Sequence, residues 1–340
     1  MKPEDRFVEK LRALLPPAEG ILLGPGDDAA LLEWHEPGLV ATTDLLVEAV
    51  DFLPGEDPQR LGRRAIAVNL SDLAAMGAAP AYFLLAIGFP AERGEELPLA
   101  VARGAIERGR EFGAHLVGGD LSAAPQILIS IAAWGRPAPS PLTRSGARVG
   151  DAVFVSGHPG EAAAGLRLAR TMEAFSGTER GASPRFPEIS SEHQTRLLAA
   201  YRDPLPRVAL GRALAERVIA TAAIDVSDGL GVDAGRLARA SGVRILIEED
   251  RLPLSRPLIS FSEMEELNPA DLAVSGGDDY ELLFTASADG AARLEERPEA
   301  LDVVVTRIGR VVPGEGAVLV HRGGEREIGD LGHDHLEGPR

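Results

Sequence analysis

The chain contains no cysteine. That removes disulfides, thiolate nucleophiles and cysteine-ligated zinc together, and a reducing cytoplasm is the natural setting for such a sequence. Lysine is nearly as scarce, with Lys2 and Lys10 alone in 340 residues. A G-x-x-x-x-G-K-[ST] phosphate loop is therefore excluded, and phosphate charge must be met by arginine, backbone amides or metal ions. Positive charge is in deficit overall: 35 Lys and Arg stand against 52 Asp and Glu, for a net −17. That balance argues against nucleic acid as a partner. No G-x-S-x-G element supports a serine nucleophile. His115, His158 and His193 show no H-x-x-x-H spacing and read as solvated or structural. The opening segment, MKPEDRFVEKLRALLPP, is charged and amphipathic without an apolar signal core. Leu73 to Ala91 carries no charge, but Gly77, Pro80, Gly88 and Pro90 break it into a helix end, a turn and a buried strand, so no membrane span is expected.

What is abundant is aspartate beside glycine and other small residues. The segments are GPGDDAALL (Gly24 to Leu32), TTD (Thr42 to Asp44), NLSDLAAMGA (Asn69 to Ala78), GGD (Gly118 to Asp120), IDVSDGL (Ile224 to Leu230) and SGGDDYELLF (Ser275 to Phe284). A single Asp-Gly is an ordinary turn or cap, which is the reading for Asp151, Asp233 and Asp289. The set as a whole needs more, since a turn does not call for Asp72 inside an otherwise apolar helix. Mg²⁺ takes oxygen ligands, keeps several waters and is held by a few carboxylates plus substrate phosphates. Asp27 or Asp28, Asp44, Asp72 and Asp120 can supply carboxylates from the first half, and Asp225 and Asp228 from the second. Ser227 or Asp228 can equally cap the helix that follows, and a glycine-led helix start is itself a phosphate site. Arg144, in LTRSGA, is the arginine best placed for a nucleotide phosphate, with a surface salt bridge as its plainer role.

At this length two domains are expected. Pro137, Pro139 and Pro141 crowd one segment, which places the boundary near residue 138 and gives domains of 1–138 and 139–340. In the first, helices are expected over Glu4 to Leu15, Asp57 to Met76 and Glu95 to Phe112. Strands are expected over Leu39 to Thr43, Tyr82 to Gly88, His115 to Val117 and Gln126 to Trp134. In the second, helices are expected over Gly160 to Met172, Arg207 to Thr221 and Gly229 to Ser241, with another near Ala291. They alternate with strands over Ala223 to Val226, Val243 to Ile247, Leu282 to Thr285 and Val303 to Val312, which argues α/β or α+β layering. Thr178 to Ser191 is polar, carries prolines and reads as a loop.

The motifs G-x-GDD, T-D, NLSDLAAMGA-x-P, GGD, LTRSGA-x-x-GD, D-x-SDGL and GGDDYEL-x-F, in that order, resemble those of the thiamine-monophosphate kinases. That family belongs to the superfamily of aminoimidazole ribonucleotide synthetase and selenophosphate synthetase. The resemblance runs from about Gly24 to His335. It implies an N-terminal α+β domain whose sheet pairs across a homodimer into a barrel, followed by an α/β C-terminal domain. It implies ATP-dependent conversion of thiamine monophosphate to thiamine diphosphate, with several Mg²⁺ ions. By resemblance, Asp28, Thr42, Thr43, Asp44, Asp72, Asp120, Asp225 and Asp228 fall on metal positions. Gly119, Asp120, Arg144 and Ser227 fall on the ATP side, with Arg144 and Asp228 as charge-stabilising candidates, and Asp51, Asp278 and His333 on the substrate side. Asp51 stands where the family often has histidine. Gly332-His333-Asp334-His335 departs from the family's Gly-aromatic-x-His. The alternatives are a related ATP enzyme with another acceptor, a two-metal phosphohydrolase and a non-catalytic nucleotide binder. Selenophosphate synthetase is disfavoured, because its usual N-terminal cysteine or selenocysteine is missing.

Overall fold

The computed structural model describes residues 38–94, 96–176, 189–296 and 303–333, with the backbone of the short strands β1 (Ile21–Leu23) and β2 (Ala30–Leu32). The helix expected over Glu4 to Leu15, Asp27, Asp28, most of the 178–191 loop and His335 lie outside the described residues.

The organising element of the first half is the helix α1 (Pro58–Ala75). Asp57 caps it by accepting a hydrogen bond from the Arg60 amide at 2.9 Å, and Pro58 occupies its first turn, where no amide is needed. Its apolar residues recur at helical spacing all round the cylinder, so a helix this buried must be covered on both sides. One side packs on a six-stranded sheet of order β1-β2-β3-β6-β4-β5, where β3 is Leu39–Val47, β4 Ala79–Phe89, β5 His115–Ala123 and β6 Leu128–Arg136. Among the described residues of this sheet only β4 and β5 pair in parallel, and α2 (Glu96–Glu111) makes the crossover between them.

On β4, Phe83, Leu85 and Ile87 point to the core while Tyr82, Leu84 and Ala86 face outward and are exposed. The helices α1 and α2 cross at backbone contact. A Cβ on Gly104 would lie 1.8 Å from the Gln59 carbonyl oxygen, and one on Gly62 1.9 Å from that of Val101.

The second half builds a seven-stranded sheet of order β13-β12-β9-β11-β7-β10-β8, formed from β7 (Ala152–Ser156), β8 (Ala220–Val226), β9 (Arg244–Glu248), β10 (Glu281–Ala286), β11 (Val305–Val312), β12 (Gly316–His321) and β13 (Gly324–Glu327). Layering is α/β, yet among the described residues the one parallel pair in this sheet is β9 with β12. One face is covered by α6 (Leu230–Ser241). The other carries Phe154 and Phe284, stacked with ring centroids 5.4 Å apart, into the same apolar core as α1 and the first sheet. There α5 (Val208–Glu216) touches α1 backbone to backbone, a Cβ on Gly211 falling 1.9 Å from the Ala74 carbonyl oxygen. A third cluster joins α3 (Glu161–Ser176), α4 (Ser191–Arg202), α7 (Arg256–Met264) and α8 (Pro269–Ser275); α9 (Ala288–Glu296) completes the set.

Several boundaries differ from the sequence reading. β3 continues past Asp44 to Val47, so Asp44 lies inside the strand, and β5 runs through Gly118-Gly119-Asp120 to Ala123. The helix expected to Thr221 stops at Glu216, and Ala220 to Val226 instead pairs with β10, which claims those residues for the sheet. Helices α4, α7 and α8 were not anticipated, although Ser190, Ser255 and Asn268 cap them and Pro257 and Pro269 mark the first turns of the last two.

The tight crossing yields a test. Alanine is the better helix former, by about 1 kcal/mol over glycine. At Gly104 the added methyl must nevertheless push apart two main chains, a misfit that typically costs about 1–3 kcal/mol. Gly104→Ala should therefore lower the melting temperature by several degrees in a thermal scan, rather than raise it as in an open helix.

Candidate active site at the domain junction

Helix α1 presents Arg64 and Ser71 toward the second half of the chain. Ser71 Oγ donates to the buried Asp225 Oδ2 at 2.8 Å, across the junction. Asp72, the next residue, accepts a hydrogen bond from Thr42 Oγ1 on β3. Thr42, Asp72 and Asp225 are thereby gathered from three elements. Asp44 lies two residues along β3 from Thr42, on the same face, and its charge is felt at Tyr280.

The Asp225 strand ends in the turn Ser227-Asp228-Gly229. Gly229 is the N-cap of α6 at φ 124° and makes no side-chain cap. Neither Ser227 nor Asp228 caps the helix. The buried Asp233 does the turn's work instead, its Oδ2 accepting from the Ser227 amide at 3.2 Å and the Asp228 amide at 3.1 Å. Asp228 pairs with Arg236, which also bonds Asp233 Oδ1 at 2.9 Å. The His333 amide donates to the Asp228 carbonyl at 2.8 Å, so the chain's last described residue closes over this turn. Of the three plain aspartates, Asp151 is the turn residue expected, accepting from the Arg148 amide. Asp233 is an internal brace that sequence reasoning undervalued.

The loop between α8 and β10 lies against the same turn. Asp278 N donates to Ser227 O at 2.7 Å and Tyr280 N to Val226 O at 2.8 Å. Gly277 has to be glycine, since a Cβ would sit 2.7 Å from the Ser227 carbonyl oxygen. Asp278 and Tyr280 both hold positive φ, 67° and 51°, a conformation costing of order 1–3 kcal/mol for residues with side chains. The loop is held by polar contacts. Tyr280 donates its hydroxyl to Asp278 Oδ1 at 2.9 Å, and Arg64 lies 3.0 Å from Asp278 Oδ2. Asp279 accepts from Gly160 N at 2.8 Å and Ala162 N at 3.3 Å, at the start of α3. Burial pushes the Asp279 carboxyl well above the usual carboxylate range despite those two amides, and the charges of Glu281 and Asp278 add to the rise. Burial and the Asp278 charge likewise raise Tyr280 well above an ordinary phenol. Burial disfavours the Arg64 cation, yet Asp278 and the two tyrosines outweigh it and hold the guanidinium above its usual pKa.

Arg64 was not anticipated. The arginine pair Arg63-Arg64 entering the apolar run AIAV was the available signal.

Other expected residues stand apart from this cluster. Strand alternation turns Thr43 to the outer face of the sheet, where its hydroxyl donates to Ile131 O at 2.9 Å. Asp120 pairs with the outward-facing Ala86 and is exposed. Its strand is three strand spacings from that of Asp44, about 14 Å along the sheet. Gly119 packs on β4, where a Cβ would fall 1.9 Å from Leu85 O. Asp51 closes the turn after β3 by accepting from Val47 N at 2.8 Å. Arg144 is half-buried, and its loop is tied to β8 through Ala223 N to Thr143 O at 2.9 Å and to the end of α6 through Ser241 Oγ to Arg144 O at 2.9 Å. That anchor is about 10 Å along β8 from its acidic end.

The donor set at the junction is a hydroxyl, Thr42, with the carboxylates Asp44, Asp72 and Asp225, all hard oxygens of the kind Mg²⁺ binds. Among the described residues no three His, Asp or Glu side chains are grouped so as to hold a metal ion by themselves. Mg²⁺ does not require one, because it retains waters and shares phosphate oxygens. Among the described residues no helix is long and apolar enough to cross a membrane.

Comparison with known proteins gives a consistent result. The patterns of the AIR synthase related protein N-terminal and C-terminal domains match residues 26–136 and 148–322. Thiamine-monophosphate kinase of Salmonella typhimurium is 37% identical over 319 residues, covering 93% of this chain and 92% of that protein. The solved structure of AaThiL complexed with AMPPCP and TMP superposes with a TM-score of 0.77 at 33% identity, covering 93% of this chain and 91% of that one. Thiamine-monophosphate kinase from Stenotrophomonas maltophilia K279a gives 0.72 at 37% identity, covering 94% and 96%. On these matches, which span both domains and nearly the whole length, the chain belongs to the AIR synthase related family and, within it, to the thiamine-monophosphate kinases.

Proposed function

We propose that the chain transfers the γ-phosphoryl group of ATP to the phosphate of thiamine monophosphate, giving thiamine diphosphate, at the junction between its two domains. The observation that carries this reading is the Ser71–Asp225 hydrogen bond, which brings carboxylates of both domains together beside the Ser227-Asp228-Gly229 helix start. The resemblance to a kinase solved with AMPPCP and TMP supplies the two substrates.

Donor and acceptor are both anions, and each pair of unit charges 4 Å apart repels by about 4 kcal/mol at an effective dielectric of 20. When bound, Mg²⁺ supplies the positive charge that offsets this repulsion. Asp44, Asp72 and Asp225, with Thr42, would hold it, and Asp228 extends the set toward the amides of α6, where a helix start favours phosphate. The acceptor phosphate is ionised at neutral pH, so the chain needs no general base. Its residues position two phosphates in line and stabilise charge. Arg144 and Ser227 are assigned to the nucleotide, and Asp278 and His333 to the acceptor. Asp51, turned back onto Val47 N, serves acceptor binding through the shape of its turn.

The domain boundary is placed near residue 138, after β6. A homodimer through the outer face of the first sheet accounts for Leu45 on β3 and Tyr82 and Leu84 on β4, exposed at 54%, 52% and 39% on either side of β6. Thr43 and Asp120 share that outer face, so their contribution would come beside a partner subunit. A cysteine-free chain suits the cytoplasm.

Purified protein incubated with ATP, Mg²⁺ and thiamine monophosphate should form thiamine diphosphate. Release of inorganic phosphate without it would favour the phosphohydrolase reading. Asp225→Asn and Asp228→Asn keep side-chain size and should melt within a few degrees of wild type. Each should lose turnover by at least about a hundredfold, the scale of one removed electrostatic element, and need more Mg²⁺ for half-maximal rate. Leu84→Glu should turn a dimer into a monomer in sedimentation velocity, and a wild-type monomer at micromolar concentration would remove the interface.

A further inference from the structure

We propose that Arg64 is a positioning residue for the acceptor: from α1 it fixes the Asp278 carboxylate, and so sets the acceptor's place relative to the carboxylates at Asp72 and Asp225. The proposal rests on the reading of Asp278 as an acceptor-binding residue.

Arg64 is almost wholly buried, with 2% of its side chain exposed. Packing alone would be served better by an apolar residue, because a buried ion pair seldom improves stability over its apolar replacement. Its Nε has no hydrogen-bond partner, so one donor of the guanidinium is left unmet in the interior. What the geometry does satisfy is Asp278. The guanidinium carbon lies 4.6 Å above the Tyr201 ring, and that stacking orients the group toward Asp278 Oδ2. Tyr280 takes Oδ1 from the other side. The carboxylate is thus held at both oxygens, in a loop with two strained residues, while 31% of its side chain still meets solvent. A planar cation that stacks and bonds through its edge does this, and a lysine ammonium does not.

Position along α1 gives the contact its meaning. Residues 64, 68 and 72 succeed one another at intervals of four, on one helical face, and eight residues of helix span about 12 Å. One rigid element therefore carries both the metal-side acid and the grip on the acceptor-side acid. In-line transfer needs the two phosphates at a fixed separation, and α1 acts as the ruler between them.

The test is steady-state kinetics with ATP and thiamine monophosphate varied separately, on wild type, Arg64→Lys, Arg64→Met, Asp278→Asn, the Arg64→Met/Asp278→Asn pair and Tyr201→Leu. Arg64→Lys should raise KM for thiamine monophosphate by about tenfold or more while KM for ATP moves by less than about threefold. The double variant should be no worse than the poorer single, since Arg64 acts through Asp278. Equal movement of both KM values, no movement of either, or additive losses would overturn the proposal. If melting curves show that the Arg64 variants do not fold, Tyr201→Leu reads the same property. It should raise KM for thiamine monophosphate selectively, and a Tyr201→Leu enzyme with both KM values unchanged would also overturn the proposal. A wild type that forms no thiamine diphosphate would instead remove the reading on which it rests.

Discussion

Helix α1 is buried on both sides, and that forces the remainder of the molecule into place. A helix buried on nearly every side from Arg64 to Ala75 cannot rest on one sheet with its far side in water. The second sheet, α5 and the stacked Phe154–Phe284 pair cover what the first sheet leaves open. Polar groups on such a helix must find partners inside the junction. Ser71 finds Asp225, Asp72 finds Thr42, and Arg64 finds Asp278 and Tyr201. Each contact joins α1 to a different element. The same hydrophobic requirement that closes the core therefore draws the acidic loops of both halves together.

The turn and loop facing α1 show how negative charge is kept in order within an already anionic protein. Asp233 spends its carboxylate on the amides of Ser227 and Asp228 and on Arg236. Asp279 spends its own on the amides that open α3. Glu281, buried at the start of β10, is gripped by Arg207 and Ser156. These three acids brace the frame, while Asp72, Asp225 and Asp278 lie nearer the junction. Acids adjacent in sequence, such as Asp278 and Asp279, take opposite duties because the strained backbone points them apart.

Much of this was legible in the sequence. Helix α1 was visible because its cap, its proline and its apolar period agree. The two-domain fold and the pairing of acidic loops with phosphate chemistry followed from the ordered motifs. What stayed hidden depends on three-dimensional partners. Thr42 and Thr43 look alike in a string, but the strand pleat sends one to the junction and the other to the outer face. Asp120 reads as one of a set of acids until the strand order puts it at the far edge. Helix α5 is expected too long, to Thr221, because the alanine-rich run through Thr221 fits a helix locally; the strand expected from Ala223 starts at Ala220, where pairing with β10 takes those residues. Asp233 and Arg64 were passed over because their importance lies in whom they meet.

The glycine contacts along α1 have a mechanical consequence. Gly62 and Gly104 bring α1 against α2, and Gly211 brings α5 against α1, each without room for a single methyl group. Of these contacts the one at Gly211 crosses between the halves, and with no clearance there α5 cannot slide along the C-terminal end of α1. The protein's tolerance for substitution should be lowest not at its charged residues but along this seam of bare backbone, where bulk would be felt at both ends of the helix at once.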